Sequence, residues 1–426
     1  MKHISIKTTI PGPKSSKFLS SFKERNGGWM SPHPYVHSKQ GEGCYFSDID
    51  GNMYLDFASQ VASNPLGYNH PTLVSVVNRY KNMFPVKYGG QDFVVPEHVE
   101  LLEELVTITP KELNAAFLVN SGAEAVENAI KIAMRSQPAT KFGVSFENGW
   151  HGRTLGALSL TNSKVVQKKG YLTFPVRRLP YDVSAGEKLQ RLIDAEATPD
   201  EIGFVIIEPI QGEGGYYVAQ KEMVQEVRKI TKDNGIPLIT DEVQCGIGRT
   251  GTWWGIQQFD VAPDVIASAK ALQVGATIAN KKMFPEPGGI SSTWGGGHVL
   301  DLALGMATIQ TIKKENLLVH NQRMGKLLHA RLHELASEIQ DLQHVRGMGL
   351  MQAFDVPSSE YRNAMIYECA KRGLIVLPCG KQGIRCIPPY IVTETEIDEA
   401  CSVLHDAMHV CKKRRFIKIG DYYHAR

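Results

Sequence analysis

The chain has 426 residues, enough for about two to three structural units and a large buried core. It is 42% hydrophobic and 21% charged, a composition typical of globular proteins. The formal charge of +3 is too small to indicate a nucleic-acid-binding surface, so small molecules are the expected partners.

The ends of the chain and its cysteines predict a cytoplasmic protein without a membrane partner. The amino-terminal stretch MKHISIKTTIPGPKSSKF lacks the apolar core of a signal peptide, and no segment approaches the ~18 apolar residues of a membrane span. The seven cysteines are scattered without a C-x-x-C pair, so neither a disulfide framework nor a metal site is expected. The basic end CKKRRFIKIGDYYHAR is interpreted as a solvated tail.

The middle of the chain alternates short apolar runs with helical patterns, which predicts a mainly parallel α/β sheet with helices on both faces. The strand candidates are AAFLVN, KFGVSF, IGFVII, IPLIT and DVIASA, in that order. GAEAVENAIKIAMRS follows the first strand as a helix, and KEMVQEVRKITKDNG follows the third. Further on, the helical NQRMGKLLHARLHELASEI precedes the strand-like runs GLMQAFDV and GLIVL.

These patterns predict a large domain over residues 60–305. The amino-terminal segment, residues 1–59, is rich in Gly, Pro and Ser. Together with residues 306–426 it is expected to form a smaller α+β domain.

Polar residues follow each predicted strand, at the edge where open α/β sheets bind ligands. They are Ser121, Gly122 and Ala123 after the first strand, then Trp150 with Arg153, then Glu208, Asp241 and Lys270. A helix N-terminus binds a phosphate. An aromatic side chain can stack on the flat ring of a ligand, an aspartate can keep a pyridine nitrogen protonated, and a lysine can form an imine with an aldehyde. The set predicts a site for pyridoxal 5'-phosphate.

Each of these features taken alone has an ordinary structural explanation, such as an N-capped helix or a packed aromatic residue. The joint arrangement carries the prediction.

GIGRTG, residues 246–251, also matches the dinucleotide-binding pattern G-x-G-x-x-G. That pattern requires a helix opening directly after a strand, whereas DEVQC precedes the motif and TWWGIQQFD follows it. We interpret it as a turn-rich loop.

LITDEVQCGIGRTG, followed by DVAPDVIASAKALQVGA, resembles the signature of class III, pyridoxal-phosphate-dependent aminotransferases. LVNSGAEAVENAIKIA, FENGWHGRTLGALSLT, IIEPIQGEGG and SSTWGGG resemble further blocks of that family in the same order. The resemblance extends from about YFSDIDGNMYLDFAS to IRCIPPY. It implies fold type I, with a large cofactor domain, a smaller domain from both chain ends, and a homodimer with shared active sites.

The resemblance also implies a role for each matching residue. The cofactor-binding set is Ser121, Gly122, Ala123, Trp150, Glu208, Asp241, Val243, Gln244, Lys270 and Thr293. Lys270 would form the imine with the cofactor, and Asp241 would pair with its pyridine nitrogen. The start of the helix at Gly122 would hold the phosphate, with Trp150 and Val243 on the two ring faces. Gln244 would lie near the ring hydroxyl, and Thr293 would reach the phosphate bound in the other subunit.

Three residues bear on the substrate. In the ω-aminotransferases of the family, a glutamate and an arginine at the positions of Glu213 and Arg385 form a gate, while Arg153 would bind the distant carboxylate. Glu213 would mask Arg385 while an ω-amine substrate presents only CH2 there, because an unpaired buried charge is costly. An ordinary ion pair is the structural alternative for these two residues.

VASNPLG, QQFDVAPD and KALQVGA most resemble the blocks of L-lysine 6-aminotransferases, which transfer the terminal amine of lysine to 2-oxoglutarate. Enzymes acting on 4-aminobutyrate or ornithine share the gate residues, and Ser291 and Gly297 depart from the lysine pattern, so these donors stay open. Another class to consider is a racemase or epimerase of the same fold. A non-catalytic binding protein is disfavoured by the intact Lys270 and Asp241.

Overall fold

A computed structural model describes residues 3–27, 33–82, 92–290, 296 and 298–413. The chain divides into two compact units. One is formed by Met1–Pro71 together with Val319–Arg426, and the other by Thr72–Leu318. We call them the first and the second unit.

The secondary structure elements are numbered in chain order. The strands are β1 (His37–Glu42), β2 (Tyr45–Asp48), β3 (Met53–Asp56), β4 (Ala115–Val119), β5 (Phe142–Phe146), β6 (Val176–Leu179), β7 (Ile202–Ile207), β8 (Leu238–Asp241), β9 (Val265–Ser268), β10 (Gly275–Ala279), β11 (Gln343–Met348), β12 (Met351–Asp355), β13 (Leu374–Ile375), β14 (Leu377–Cys379) and β15 (Gly383–Cys386). The helices are α1 (Pro13–Arg25), α2 (Ser59–Ala62), α3 (Pro71–Tyr80), α4 (Pro96–Thr107), α5 (Gly122–Arg135), α6 (Leu155–Leu160), α7 (Ala185–Ala195), α8 (Lys221–Asp233), α9 (Val299–Lys314), α10 (Leu317–Glu338), α11 (Ser359–Lys371) and α12 (Glu394–Lys413).

The second unit is built on a seven-stranded sheet in the order β4-β10-β9-β8-β7-β5-β6. All neighbouring pairs are parallel except those of β10, which runs antiparallel to β4 and to β9. The central strands β5, β7, β8 and β9 are buried along their whole length, as expected for a sheet covered on both faces. The predicted parallel α/β sheet and its five predicted strands are confirmed, and GIGRTG lies in a run of turns.

The first unit contains two four-stranded sheets, in the orders β1-β2-β3-β13 and β11-β12-β15-β14. β13 pairs in parallel with β3, with Leu374 opposite Leu55. A strand from the carboxyl-terminal part of the chain therefore completes a sheet that begins near the amino terminus. α11 packs on α12 and on β13, β14 and β15.

One turn of the first unit, α2, has a left-handed backbone, with φ between 42° and 68° from Ser59 through Ala62. Non-glycine residues adopt this conformation at a cost of about 1–2 kcal/mol each. The Asp56 carboxylate compensates part of this cost, because its Oδ1 accepts the N–H groups of Ala58 and Ser59 at 2.8 Å.

No helix in the described part of the chain is long and apolar enough to cross a bilayer. The same residues contain no group of three or more histidine, cysteine, aspartate or glutamate side chains placed to hold a metal ion. The seven cysteines are buried thiols. Burial raises the pKa of the Cys369 and Cys386 thiols, which makes them poor nucleophiles.

Gly305 lets helix α9 approach the turn that begins at Lys270. A β-carbon at Gly305 would lie 2.5 Å from the carbonyl oxygen of Leu272, which is closer than atoms pack. Helix propensity alone favours alanine over glycine by about 0.5–1 kcal/mol. The close contact reverses that preference, since overpacking costs about 1–3 kcal/mol.

Gly305→Ala is therefore expected to lower the melting temperature by roughly 2–4 °C for each kcal/mol of net destabilisation. The measurement is thermal unfolding followed by circular dichroism. Gly27→Ala is the control, because a β-carbon there meets no atom of the described residues within 4 Å. A Gly305→Ala protein that is as stable as the control, or more stable, contradicts the close contact.

Candidate active site

Three candidate residues come from the carboxyl ends of neighbouring parallel strands. Asp241 is the last residue of β8, and its partner across the sheet is Ala267 in β9. Lys270 follows three residues after Ala267, and Glu208 directly follows β7. Parallel pairing therefore brings the acidic residues and the lysine to one edge of the sheet.

Lys270 begins a short 3₁₀ turn, Lys270–Leu272, and has a left-handed φ of 47°. Its neighbours Ala269 and Ala271 are buried, and Lys270 itself is partly buried. A non-glycine residue in this conformation stores about 1–3 kcal/mol of backbone strain, which is common at functional sites. The conformation of this turn therefore determines where the Lys270 side chain leaves the backbone.

Asp241 is almost fully buried, with 5% of its surface exposed. Its Oδ2 lies 2.9 Å from Nδ1 of His151, which is 3% exposed, and its Oδ1 accepts the Val243 N–H at 3.1 Å. An imidazole N–H at Nδ1 can donate a hydrogen bond to this carboxylate oxygen, which accepts it. His151 thus orients the carboxylate that the sequence assigned to the pyridine nitrogen.

Glu208 connects two loops beside Asp241. Its Oε1 accepts the Trp150 N–H at 2.7 Å, and its Oε2 accepts the Gly212 N–H at 2.8 Å. Burial, followed by the neighbouring charge of Asp241, raises the pKa of Glu208 well above its ordinary value. Glu208 therefore holds the loop of Trp150 against the loop of Glu213. Its raised pKa favours the protonated form of its carboxyl group.

The amino terminus of α5 forms the next part of the site. Ser121 caps this helix, and its Oγ accepts the Glu124 N–H at 3.2 Å. A β-carbon at Gly122 would lie 2.7 Å from Cγ1 of Val243, and one at Gly275 would lie 2.5 Å from the carbonyl oxygen of Ser121. Only glycine allows these close approaches, and the first N–H groups of a helix at this edge of the sheet are suited to bind an anion.

Gln244 follows Val243 and packs on the loop after β7. Its Oε1 accepts the Tyr216 O–H at 2.7 Å, and its Nε2 would lie 2.7 Å from a β-carbon at Gly212. Within the second unit the structure thus brings together residues from the loops after β4, β5, β7, β8 and β9. These loops supply a helix N-terminus, a buried carboxylate, an aromatic residue and a lysine, which fit pyridoxal 5'-phosphate.

The remaining predicted residues lie in different parts of the chain. The Arg153 guanidinium carbon lies 5.0 Å from the centre of the Trp150 ring. Glu213 is partly buried, and its charge also raises the pKa of Glu208. Arg385 belongs to the first unit, where it is buried on β15 opposite Ala353. The gate between Glu213 and Arg385 stays a prediction. Thr293 lies outside the described residues.

Sequence reasoning missed two residues of this region. No local motif marks His151, because its contact with Asp241 spans 90 positions of sequence. Glu242 is fully buried beside Asp241; its carboxylate accepts the N–H groups of Gly255 and Ile256, each at 2.8 Å, and the Cys245 thiol at 3.0 Å. The sequence signal for Glu242 is its position directly after Asp241, as an acidic pair at the end of β8.

Burial raises the pKa of Glu242 from 4.5 to about 7. The folded state therefore binds this proton more tightly than the unfolded state does. The resulting stability is fully present below about pH 4.5 and is lost as the pH rises through about 7. At about 1.4 kcal/mol per pH unit, the loss is about 3 kcal/mol.

Glu242→Gln removes this titration and is expected to flatten the pH dependence of stability. The free energy of unfolding, measured with urea at pH 5 and at pH 8, should fall less in the variant than in the wild type, by roughly 2–3 kcal/mol. Glu196→Gln, at an exposed position, is the matched control. Equal pH dependence in wild type and Glu242→Gln contradicts the raised pKa.

Comparison with known proteins identifies the family. Residues 29–408 match the family model described as aminotransferase class-III. Acetylornithine aminotransferase from Archaeoglobus fulgidus is 35% identical over 373 residues, covering 86% of this chain and 94% of that protein. A probable 4-aminobutyrate aminotransferase from Bacillus subtilis is 32% identical over 400 residues, covering 86% of this chain and 91% of that protein.

Similarity extends to solved structures. Lysine aminotransferase from M. tuberculosis, in its internal aldimine form, is 29% identical and has a TM-score of 0.87. The match covers 93% of this chain and 99% of that chain. The chain therefore belongs to the class III aminotransferase family and is a pyridoxal-phosphate-dependent transaminase of fold type I.

Proposed function

We propose that the protein is an ω-aminotransferase that transfers the terminal amine of an amino acid, best represented by the 6-amine of L-lysine, to 2-oxoglutarate. The products are a semialdehyde and L-glutamate, formed by a ping-pong mechanism. The observation that carries the proposal is the convergence of Lys270, Asp241 and Trp150 on one sheet edge, with Arg153 beside Trp150. We assign the second unit as the cofactor-binding domain.

When bound, the cofactor supplies an aldehyde that condenses with amines and a ring that accepts electron density from the reacting carbon. Asp241, buried and oriented by His151, would keep a proton on the pyridine nitrogen. Lys270 lies among buried apolar residues, and scarce water favours its neutral amine. That amine would take a proton from the substrate carbon as general base and, as general acid, deliver it to the carbon that belonged to the cofactor's aldehyde.

The remaining chain residues would hold and select the substrate. Arg153 would bind the distant carboxylate of each substrate through a two-pronged contact. Glu213 would mask the charge of Arg385 during the first half-reaction and withdraw when 2-oxoglutarate brings a second carboxylate. We also propose a homodimer in which Thr293 reaches the phosphate of the partner subunit.

The named relatives support a terminal amine as the group that is transferred. Lysine, acetylornithine and 4-aminobutyrate, after which the relatives are named, each carry an amine at the end of a chain remote from a carboxylate. Their shared chemistry supports the reaction class. Among donors we favour lysine over 4-aminobutyrate, ornithine and acetylornithine, because of the sequence blocks described above and the match to lysine aminotransferase along nearly the whole chain.

The choice of donor is tested by incubating the holoenzyme with 2-oxoglutarate and each of L-lysine, L-ornithine, N-acetylornithine and 4-aminobutyrate. Glutamate formation should be fastest with L-lysine and absent in Lys270→Ala with every donor. Preference for another terminal amine would contradict the assignment of lysine as the donor but would still support an ω-aminotransferase. Inversion of an α-amino acid without glutamate formation would favour the racemase, the alternative of another class.

His151→Phe tests how Asp241 is supported. A hydrogen bond to a charged group contributes about 1.5–3 kcal/mol, so its loss should lower kcat by roughly 10- to 100-fold. The variant should also release the cofactor more readily on dialysis, as measured by its visible absorbance. His151→Asn, whose amide can donate, should lose less. An unchanged kcat in a folded His151→Phe protein contradicts the role of this contact.

A further inference from the structure

Two histidines on helix α10 form a cluster that the proposed reaction does not use. His329 and His333 are one helical turn apart, and i, i+4 residues lie on the same helix face. Their Nε2 atoms are 3.1 Å apart, and their ring centres are separated by 4.6 Å. His329 is partly buried and His333 is exposed, so the pair faces solvent on one side.

A buried glutamine fixes which nitrogen of His329 carries the proton. Gln352 on β12 is 2% exposed, and its Nε2 donates to the Gly349 carbonyl at 2.8 Å. Its Oε1 therefore faces Nδ1 of His329, at 2.8 Å. Because an amide oxygen can only accept, Nδ1–H donates to it and Nε2 holds a lone pair directed towards His333.

The backbone keeps this arrangement in place. A β-carbon at Gly325 would lie 2.3 Å from the backbone of Gly349, so α10 packs directly on the turn before β12. His329 lies one turn further along the same helix. The glutamine that orients the imidazole is thus held at a fixed distance from it, as the outer partners of metal-binding histidines usually are.

The separation of the two nitrogens matches the spacing that a metal ion requires. Zinc–nitrogen bonds are about 2.0–2.1 Å long. At tetrahedral or square-planar angles, two such bonds place their nitrogens roughly 2.9–3.4 Å apart. The observed 3.1 Å lies within this range. Nε2–H of His333 donates to Nε2 of His329 in the free protein, and an ion that binds both nitrogens would displace this proton to Nδ1 of His333 or to solvent.

We propose that His329 and His333 form a binding site for a divalent transition metal ion such as Zn²⁺, with water in the other coordination positions. Imidazole ligands suit zinc, copper and nickel, whereas magnesium and calcium prefer oxygen ligands. The described residues offer no third side chain for the same ion. The site lies in the first unit and is independent of the proposed reaction.

The test uses tag-free holoenzyme titrated with ZnCl2 in a calorimeter, and crystals soaked in ZnCl2 for anomalous diffraction. Zn²⁺ should bind with an anomalous peak between the two Nε2 atoms, while MgCl2 should give no heat. His329→Gln and His333→Gln should each weaken this binding at least about tenfold, and Gln352→Met should weaken it roughly 10- to 100-fold by releasing the imidazole.

His409→Gln is the matched control. His405 and His409 are also one turn apart, on α12, but Nδ1 of His409 contacts the His405 carbonyl of its own helix at 3.1 Å. That variant should keep the affinity of the wild type. Absence of the anomalous peak at saturating Zn²⁺, or wild-type affinity in His333→Gln, overturns the site. Equal weakening in His409→Gln overturns the assignment to this pair.

Discussion

A carboxylate buried at the end of a strand needs compensation, and the site is organised around how Asp241 obtains it. His151 reaches Asp241 from the loop after β5, and the Val243 N–H reaches it from the following turn. Glu208, at the end of the next strand, is close enough for the charge of Asp241 to raise its pKa. The contacts with His151 and with the Val243 N–H supply the compensation that this buried carboxylate needs.

The antiparallel strand β10 explains how the amino terminus of α5 reaches the same edge of the sheet as Lys270. β10 lies between β4 and β9 and pairs with both, so the helix that follows β4 begins beside the turn that follows β9. Gly275 opens β10 with its backbone against Ser121. A larger residue there would separate the start of α5 from the sheet edge, so this backbone contact sets the spacing between the helix start and the turn of Lys270.

The sequence predicted the strands that carry the site because each is a short apolar run ended by a polar residue. It did not predict β10, since Gly275–Ala279 contains a glycine and two alanines, which are poor strand formers. β6 was missed because its charged residues, Arg177 and Arg178, belong to an edge strand. The contact of His151 with Asp241 depends on the fold rather than on a local motif. The amine donor is harder still to read, because Arg153 and Arg385 belong to different units.

Backbone contacts fix the position of Lys270. Lys270 and Gln273 both have left-handed φ angles, 47° and 68°, and such strain persists only where surrounding contacts outweigh it. The Gln273 N–H donates to the Lys270 carbonyl at 2.9 Å, which closes the turn, and α9 packs on Leu272 at Gly305. A flexible lysine side chain can hold its amine at one point only if its Cα is fixed. The helix packing and the strained turn fix that atom, and the buried carboxylate on the adjacent strand lies at the same edge of the sheet.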